Sequence, residues 1–172
     1  MKNRPRLAAA LAGVLAAPLV LVALPTGTAF AHGYVSSPAS RQAQCARGTV
    51  KDCGAIQWEP QSVEGPKGLK SCNANLSQFA VLNNDSKGWQ RASTGRSVTF
   101  NWTFTARHRT RDYDYYVDGK KVANFSGNNQ QPPATVSHTV NVGSAGNHKV
   151  LAVWNIGDTA NAFYSCIDIK SS

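Results

Sequence analysis

Ser97-Val98-Thr99-Phe100-Asn101-Trp102-Thr103-Phe104-Thr105 alternates large apolar side chains at 98, 100, 102 and 104 with polar residues between them. A period of two sustained over nine residues is the pattern of a half-buried strand, and it assigns Trp102 to a core. The residues downstream keep this texture. Asp114–Val117 and Lys121–Phe125 flank Asp118-Gly119, a strong hairpin signal because a tight two-residue turn needs positive φ. Thr135–Val142 alternates again, Lys149–Ile156 is apolar on both faces like a strand buried between two layers, and Phe163–Ile169 closes the chain. With at least one more strand near the N-terminus, these runs predict an all-β, immunoglobulin/fibronectin-III-like antiparallel β-sandwich. Residues 32 to about 92 read differently. They are rich in Gly, Pro, Ser and Asn, with one short helix expected near Leu76–Leu82, and form a loop-rich, partly helical N-terminal insertion. All helix is expected before residue 92.

The first 31 residues read as a secretory signal. Lys2, Arg4 and Arg6 supply the basic start, Leu7 to Leu24 the apolar stretch, and Ala29-Phe30-Ala31 the small-residue cleavage site. The stretch is long enough to raise a membrane anchor as an alternative, but Pro18 and Pro25 interrupt it and the cleavage site follows directly. Residues 1–31 hold three of the 18 basic residues and none of the nine acidic ones, so removal leaves residues 32–172 as one domain with 15 basic against nine acidic side chains. In a secreted protein that excess favours solubility and weak attraction to anionic surfaces. No aromatic-plus-basic motif points to nucleic acid, and no membrane partner is expected after cleavage.

All four cysteines, Cys45, Cys53, Cys72 and Cys166, lie in the exported part, where disulfides persist. Three pairings are possible. Cys45 and Cys53 are close enough to shut a local loop, which leaves Cys72–Cys166 to tie an early loop to the last strand. In the chain-entropy account the long bridge contributes about 4–5 kcal/mol and the short one about 2–3 kcal/mol. No C-x-x-C pair suggests zinc.

Cleavage after Ala31 exposes His32 as the first residue, with a free α-amine and an imidazole on one Cα. Two such nitrogens chelate a metal, and His108 in Thr105-Ala106-Arg107-His108-Arg109-Thr110 offers a third. Three neutral nitrogens suit copper among the common first-row ions. Gly33 leaves room for the backbone to fold closely around an ion. His138 shares parity with Val136, Val140 and Val142 and reads as a packed core histidine, whereas His148 after a Gly-Asn turn reads as a strand-start surface residue.

Four segments carry a resemblance: His32-Gly33-Tyr34-Val35; Trp58-Glu59-Pro60-Gln61-Ser62-Val63-Glu64-Gly65; Thr105-Ala106-Arg107-His108; and Asn155-Ile156-Gly157-Asp158-Thr159-Ala160-Asn161-Ala162-Phe163-Tyr164. In this order the chain resembles a single-domain bacterial lytic polysaccharide monooxygenase of auxiliary-activity family ten, the chitin-binding-protein type. The resemblance implies a histidine brace in which His32 and His108 hold one copper ion. Phe163 is then the aromatic at the axial face, Ala106 a small residue shaping access, and Glu64 an acidic group that positions the oxygen co-substrate. Trp58 stands where relatives commonly carry an exposed Tyr on a flat substrate face. Glu59, Gln61, Asp158 and Asn161 are its polar neighbours, and the form of the 59–64 segment favours chitin over cellulose. The implied reaction uses an external electron donor with O2 or H2O2 to hydroxylate the sugar C1, breaking the glycosidic bond and leaving a lactone that opens to an aldonic acid. It needs no glycosidase carboxylate pair. The expected protein is secreted and monomeric, with insoluble chitin as its partner. The alternatives are a non-catalytic chitin-binding protein and a secreted copper carrier.

Overall fold

The computed structural model describes residues 31–172, so the leader expected over residues 1–31 lies outside the described residues except for Ala31. In chain order the elements are β1 (His32–Ser37), α1 (Arg41–Ala46), a 3-10 turn at Gly54–Gln57, β2 (Glu64–Pro66), a 3-10 segment at Ser77–Asn83, β3 (Ala92–Thr94), β4 (Ser97–Ala106), β5 (Thr110–Val117), β6 (Lys120–Gln130), β7 (Thr135–Asn141), β8 (Gly146–Ile156) and β9 (Asn161–Ser171). Two sheets face each other, β1-β4-β7 and β2-β9-β8-β5-β6, and β3 runs parallel to the end of β9. The expected sandwich therefore forms, with the described helical turns all before residue 92.

The alternation in β4 is the reason for the layering. Val98, Phe100, Trp102 and Phe104 are buried between the sheets, while Ser97, Thr99 and Thr105 are exposed. Each such side chain contributes about 1.5–3 kcal/mol by leaving water. The one polar atom in the stripe is satisfied, since Trp102 Nε1 donates to Tyr115 Oη at 3.0 Å. Asp118 and Gly119 both adopt positive φ in the β5–β6 turn, as a primed hairpin turn requires.

β8 is buried on both faces, as its composition predicts. Val150, Ala152, Trp154 and Ile156 enter the inter-sheet core. Leu151 and Val153 join a second core on the outer face of the larger sheet, under the N-terminal insertion. Disulfides Cys45–Cys53 and Cys72–Cys166 staple that insertion, the second reaching β9 across 94 residues.

Helix α1 carries no apolar stripe, and no helix was expected there. Ser40 caps it, its Oγ accepting from Ala43 N–H at 3.3 Å, and polar Arg41, Gln42 and Gln44 are buried beside Ala43 and Cys45. Gln42 Nε2 donates to the Tyr164 carbonyl and to Ser165 Oγ, both at 2.8 Å, and so serves the edge of β9 between the points where β2 and β3 pair with it. Arg41 is 1% exposed; its guanidinium pairs with Asp168 at 2.8 Å and Asp85 at 2.7 Å and donates to the Leu82 carbonyl at 2.8 Å. A fully partnered buried ion pair is costly to break from one side, so Arg41→Ala should destabilise the fold by roughly 3–5 kcal/mol in denaturant unfolding.

His148 departs from expectation: it is 8% exposed, not a surface residue. Asp118 Oδ2 accepts from Nδ1 at 2.7 Å and the Ser144 carbonyl from Nε2 at 2.9 Å, because the β5–β6 turn and the segment before β8 close over the ring. Two pure acceptors require a doubly protonated imidazole. The Asp118 hydrogen bond accordingly raises the pKa of His148. A raised folded-state value means that the stabilisation is complete below about pH 6.5, the ordinary histidine range, and is lost as pH rises through the folded value. Urea unfolding followed from mildly acid to mildly alkaline pH should show a steeper loss of stability in the native chain than in His148→Gln.

Candidate metal centre

The first position of β1 lies beside the last position of β4, since His32 is the register partner of Ala106. At the same end β2 and β9 pair Glu64 with Phe163, and β8 pairs Trp154 with Phe163. The Phe163 ring is fully buried, 5.0 Å from the Trp154 ring and 6.3 Å from the His32 imidazole in an edge-on arrangement. His32, Ala106, Glu64 and Phe163 are thus brought together although the first and last are 131 residues apart in sequence.

Loops around this corner are fixed by main-chain bonds. Gly33 N–H donates to the Gln61 carbonyl at 3.2 Å, tying the 58–63 loop to β1. Gly157 N–H donates to the Arg109 carbonyl at 2.6 Å, and Lys67 holds the next turn through its N–H to Ala160 (2.9 Å) and its Nζ to Thr159 (2.6 Å). Gly33 is needed for a reason the sequence does not reveal. A Cβ there would stand 2.6 Å from the Phe104 ring and 3.2 Å from the Thr103 carbonyl, so strand packing excludes a side chain.

The polar residues expected at the site are engaged as follows. His108 follows β4, its side chain 12% exposed, and its Nε2 lies 2.6 Å from Asp158 Oδ1. Asn161 Nδ2 donates to Glu64 Oε1 at 2.8 Å. Trp58 is 82% exposed, whereas Glu59 and Gln61 are half-buried, Gln61 Nε2 donating weakly to Ser62 Oγ at 3.4 Å. Sequence reasoning passed over Trp154, which backs Phe163, and over Lys67 and Gly157, which set the 157–160 loop. The apolar run of β8 was the only signal for the first, and nothing local marks the others.

Among the described residues no three His, Cys, Asp or Glu side chains form a metal-holding group. His32 begins β1 opposite Ala106, and His108 stands two residues beyond Ala106, so the two imidazoles expected as ligands would need a further donor from the main chain. In the described chain His32 N is an amide bonded to Ala31, a poor ligand; as a free amine it would complete an all-nitrogen set. That donor chemistry fits copper.

An immunoglobulin-like sandwich is the architecture of solved lytic polysaccharide monooxygenases. One from Jonesia denitrificans is 44% identical and superposes with a TM-score of 0.80 over 82% of this chain and 100% of that one. One from Streptomyces lividans is 41% identical, with a TM-score of 0.74 over 81% and 99%. The chain belongs to the auxiliary-activity family ten lytic polysaccharide monooxygenases: the family model described as "Lytic polysaccharide mono-oxygenase, cellulose-degrading" matches residues 32–169. A curated relative from Streptomyces ambofaciens, named lytic chitin monooxygenase, is 53% identical over 166 residues, covering 96% of each chain. The family is one of copper-dependent monooxygenases, so the chain is an enzyme.

The geometry separates two aromatics by role. Phe163→Ala empties a fully buried position and should cost about 3–5 kcal/mol. Trp58→Ala removes an exposed side chain and should leave unfolding free energy within about 0.5 kcal/mol of the parent. Parallel denaturant titrations check both.

Proposed function

We propose that cleavage between Ala31 and His32 releases a secreted, monomeric copper monooxygenase that attacks insoluble chitin and oxidises the sugar C1, leaving lactone and then aldonic acid ends. The observation that carries this reading is the register that sets His32, the first residue after the cleavage site, opposite Ala106 with Phe163 packed on its imidazole. His32 would hold copper through its α-amine and Nδ1, and His108 through Nε2. Copper supplies, with O2 or H2O2 and an external electron donor, the redox chemistry that side chains lack.

The chain's own residues do the rest. Phe163 keeps one approach to His32 apolar and free of water. Glu64, held by Asn161, presents a fixed acceptor beside it. Asp158 engages His108 Nε2, and is 45% exposed and within reach of a sugar hydroxyl once that nitrogen binds elsewhere. The exposed Trp58 indole offers a face on which a sugar ring stacks. Glu59 and Gln61 flank it as hydrogen-bonding groups. The 59–64 segment and the name of the Streptomyces ambofaciens relative favour chitin, while the family description mentions cellulose. The α-amine must lose its proton to bind, with an ordinary pKa of about 7.7–8.0, so copper affinity weakens on acidification.

Mass spectrometry of soluble products from β-chitin and from cellulose, with copper and ascorbate, tests the reading. Aldonic-acid-ended chito-oligosaccharides are expected from the chain starting at His32, and none from His108→Ala or from a form retaining Ala31. Calorimetry should show copper binding weaker in the Ala31-retaining form by more than the roughly 10–100-fold lost when only a hydrogen-bonding partner of a ligand is removed. Normal oxidation by that form would overturn the copper site. Tight adsorption to chitin without oxidised products would favour the non-catalytic binding reading, and copper binding without adsorption the carrier.

A further inference from the structure

The strands of the smaller sheet, β1, β4 and β7, contain no Lys, Arg, Asp or Glu, whereas β5, β6, β8 and β9 each carry charged side chains. In β4 and β7 the even positions face the core. Every outward position, the odd numbers from 97 to 105 and from 135 to 141, is Ser, Thr or Asn. β1 and β7 are the two edges of this sheet. Edge strands ordinarily carry charge, Lys above all, which keeps other surfaces from pairing with them. Both edges here lack that safeguard.

Strand register turns the outward residues into a grid. Thr99 faces Thr139, and Asn101 faces Ser137, across the β4–β7 pair. The Thr99 and Thr139 hydroxyls lie 2.9 Å apart, and Ser137 Oγ donates to Asn101 Oδ1 at 2.6 Å. On the β1 side Thr103 Oγ1 donates to Ser36 Oγ at 2.8 Å, and that hydroxyl donates to the Asn101 carbonyl at 3.2 Å. Such rungs recur about every 6.4–6.8 Å along a strand, on strands about 4.7–4.9 Å apart. The cross-strand bonds hold these side chains in place, so a partner meets them already ordered. A hydroxyl both donates and accepts, so one bond inside the grid leaves capacity for another. Thr99, Ser137 and Thr139 are exposed.

A grid of short, neutral, ordered hydroxyl and amide groups selects its partner by chemistry. It offers no countercharge to an ion or a charged chain. Its outward positions on β4 and β7 hold no large apolar side chain, which leaves little to drive pairing with a second copy. We propose that the outer face of the smaller sheet is an adsorption surface for the uncharged, hydroxyl-rich face of a crystalline polysaccharide, separate from the face carrying Trp58. The choice of chitin as that solid rests on the function proposed above. β1 and β4 run into the His32 corner, so adsorption through their outer faces sets the corner at the rim of the contact.

Thr99→Glu combined with Thr139→Lys tests the surface. The pair keeps the net charge, and opposite charges directly across two strands sustain the sheet. Depletion isotherms on β-chitin and on microcrystalline cellulose, with the copper-free chain starting at His32, compare the parent, this paired variant, Trp58→Ala and all three substitutions together. The paired variant should adsorb about tenfold more weakly than the parent, because charges pressed against a neutral solid lose hydration without gaining a partner. The triple variant should adsorb more weakly than Trp58→Ala alone. Thr99→Val with Thr139→Val, which keeps the β-branched shape and removes both hydroxyls, should also weaken adsorption. Equal adsorption of the parent and both paired variants overturns the proposal, and leaves the Trp58 face standing where Trp58→Ala still weakens binding. A parent that adsorbs to neither solid overturns both. Dimerisation of the parent in sedimentation, abolished in the Thr99→Glu, Thr139→Lys variant, overturns it in favour of a second copy of the chain.

Discussion

The position of His32 rests on strand register. Side chains in a strand alternate faces, so a slip of one residue between β1 and β4 would turn the imidazole to the opposite face of the sheet. Val35, three residues on, pins β1 against such a slip, and a single register shift between His32 and Gly33 then sets the last step to the imidazole. Val35 is fully buried, is the register partner of Trp102, and its N–H donates to Ser165 Oγ at 3.1 Å in the opposing sheet. A slipped β1 would expose Val35 and break the bond from its N–H to Ser165 Oγ. The inter-sheet core therefore fixes the corner, and the corner inherits its rigidity from Trp102, Trp154 and Phe163 stacked behind it.

The second dependence runs through β9, which lacks a full-length neighbour on its outer side. β2 covers one end, β3 the other, and Gln42 bridges the gap by bonding the Tyr164 carbonyl. Main-chain groups in a buried edge must find partners, and here side chains of a single helical turn supply them. Because β9 also carries Phe163, Cys166 and Asp168, the insertion and the corner are coupled mechanically. The Cys72 disulfide and the Arg41 ion pair hold the insertion onto the strand whose opposite end presents Phe163.

What could be read from sequence follows from this division. β4, β7 and β8 were legible because apolar alternation, or its absence, reports a sheet face directly, and Asp118-Gly119 because few residues tolerate its backbone. α1 was illegible for the converse reason: it buries Arg41, Gln42 and Gln44, whose partners lie on β9, on Leu82 and on the Gln90 segment. The same logic explains His148, where the deciding acceptor, Asp118, sits 30 residues away. At the corner, residue types were legible one by one through the family motifs. Their engagement was not: Asp158 bonded to His108 and Asn161 to Glu64 are pairings across 50 and 97 residues that no local pattern encodes.

Those two pairings share a logic. Both acidic groups near the histidines are held by neighbours in the described chain, Glu64 by an amide and Asp158 by an imidazole, so neither carboxylate is a loose anion at the corner. Lys67 and Gly157 fix the turn that carries Asp158 while the side chain itself stays 45% exposed. Water reaches the Asp158 carboxylate and screens it, so its hold on the imidazole is weaker than that of a fully buried pair. A ligand that takes Nε2 more strongly than that displaces Asp158 at little cost, leaving it anchored at its base and open at its tip. On the proposed reading, binding at His108 Nε2 would move the Asp158 side chain alone, because the turn that carries it is already fixed.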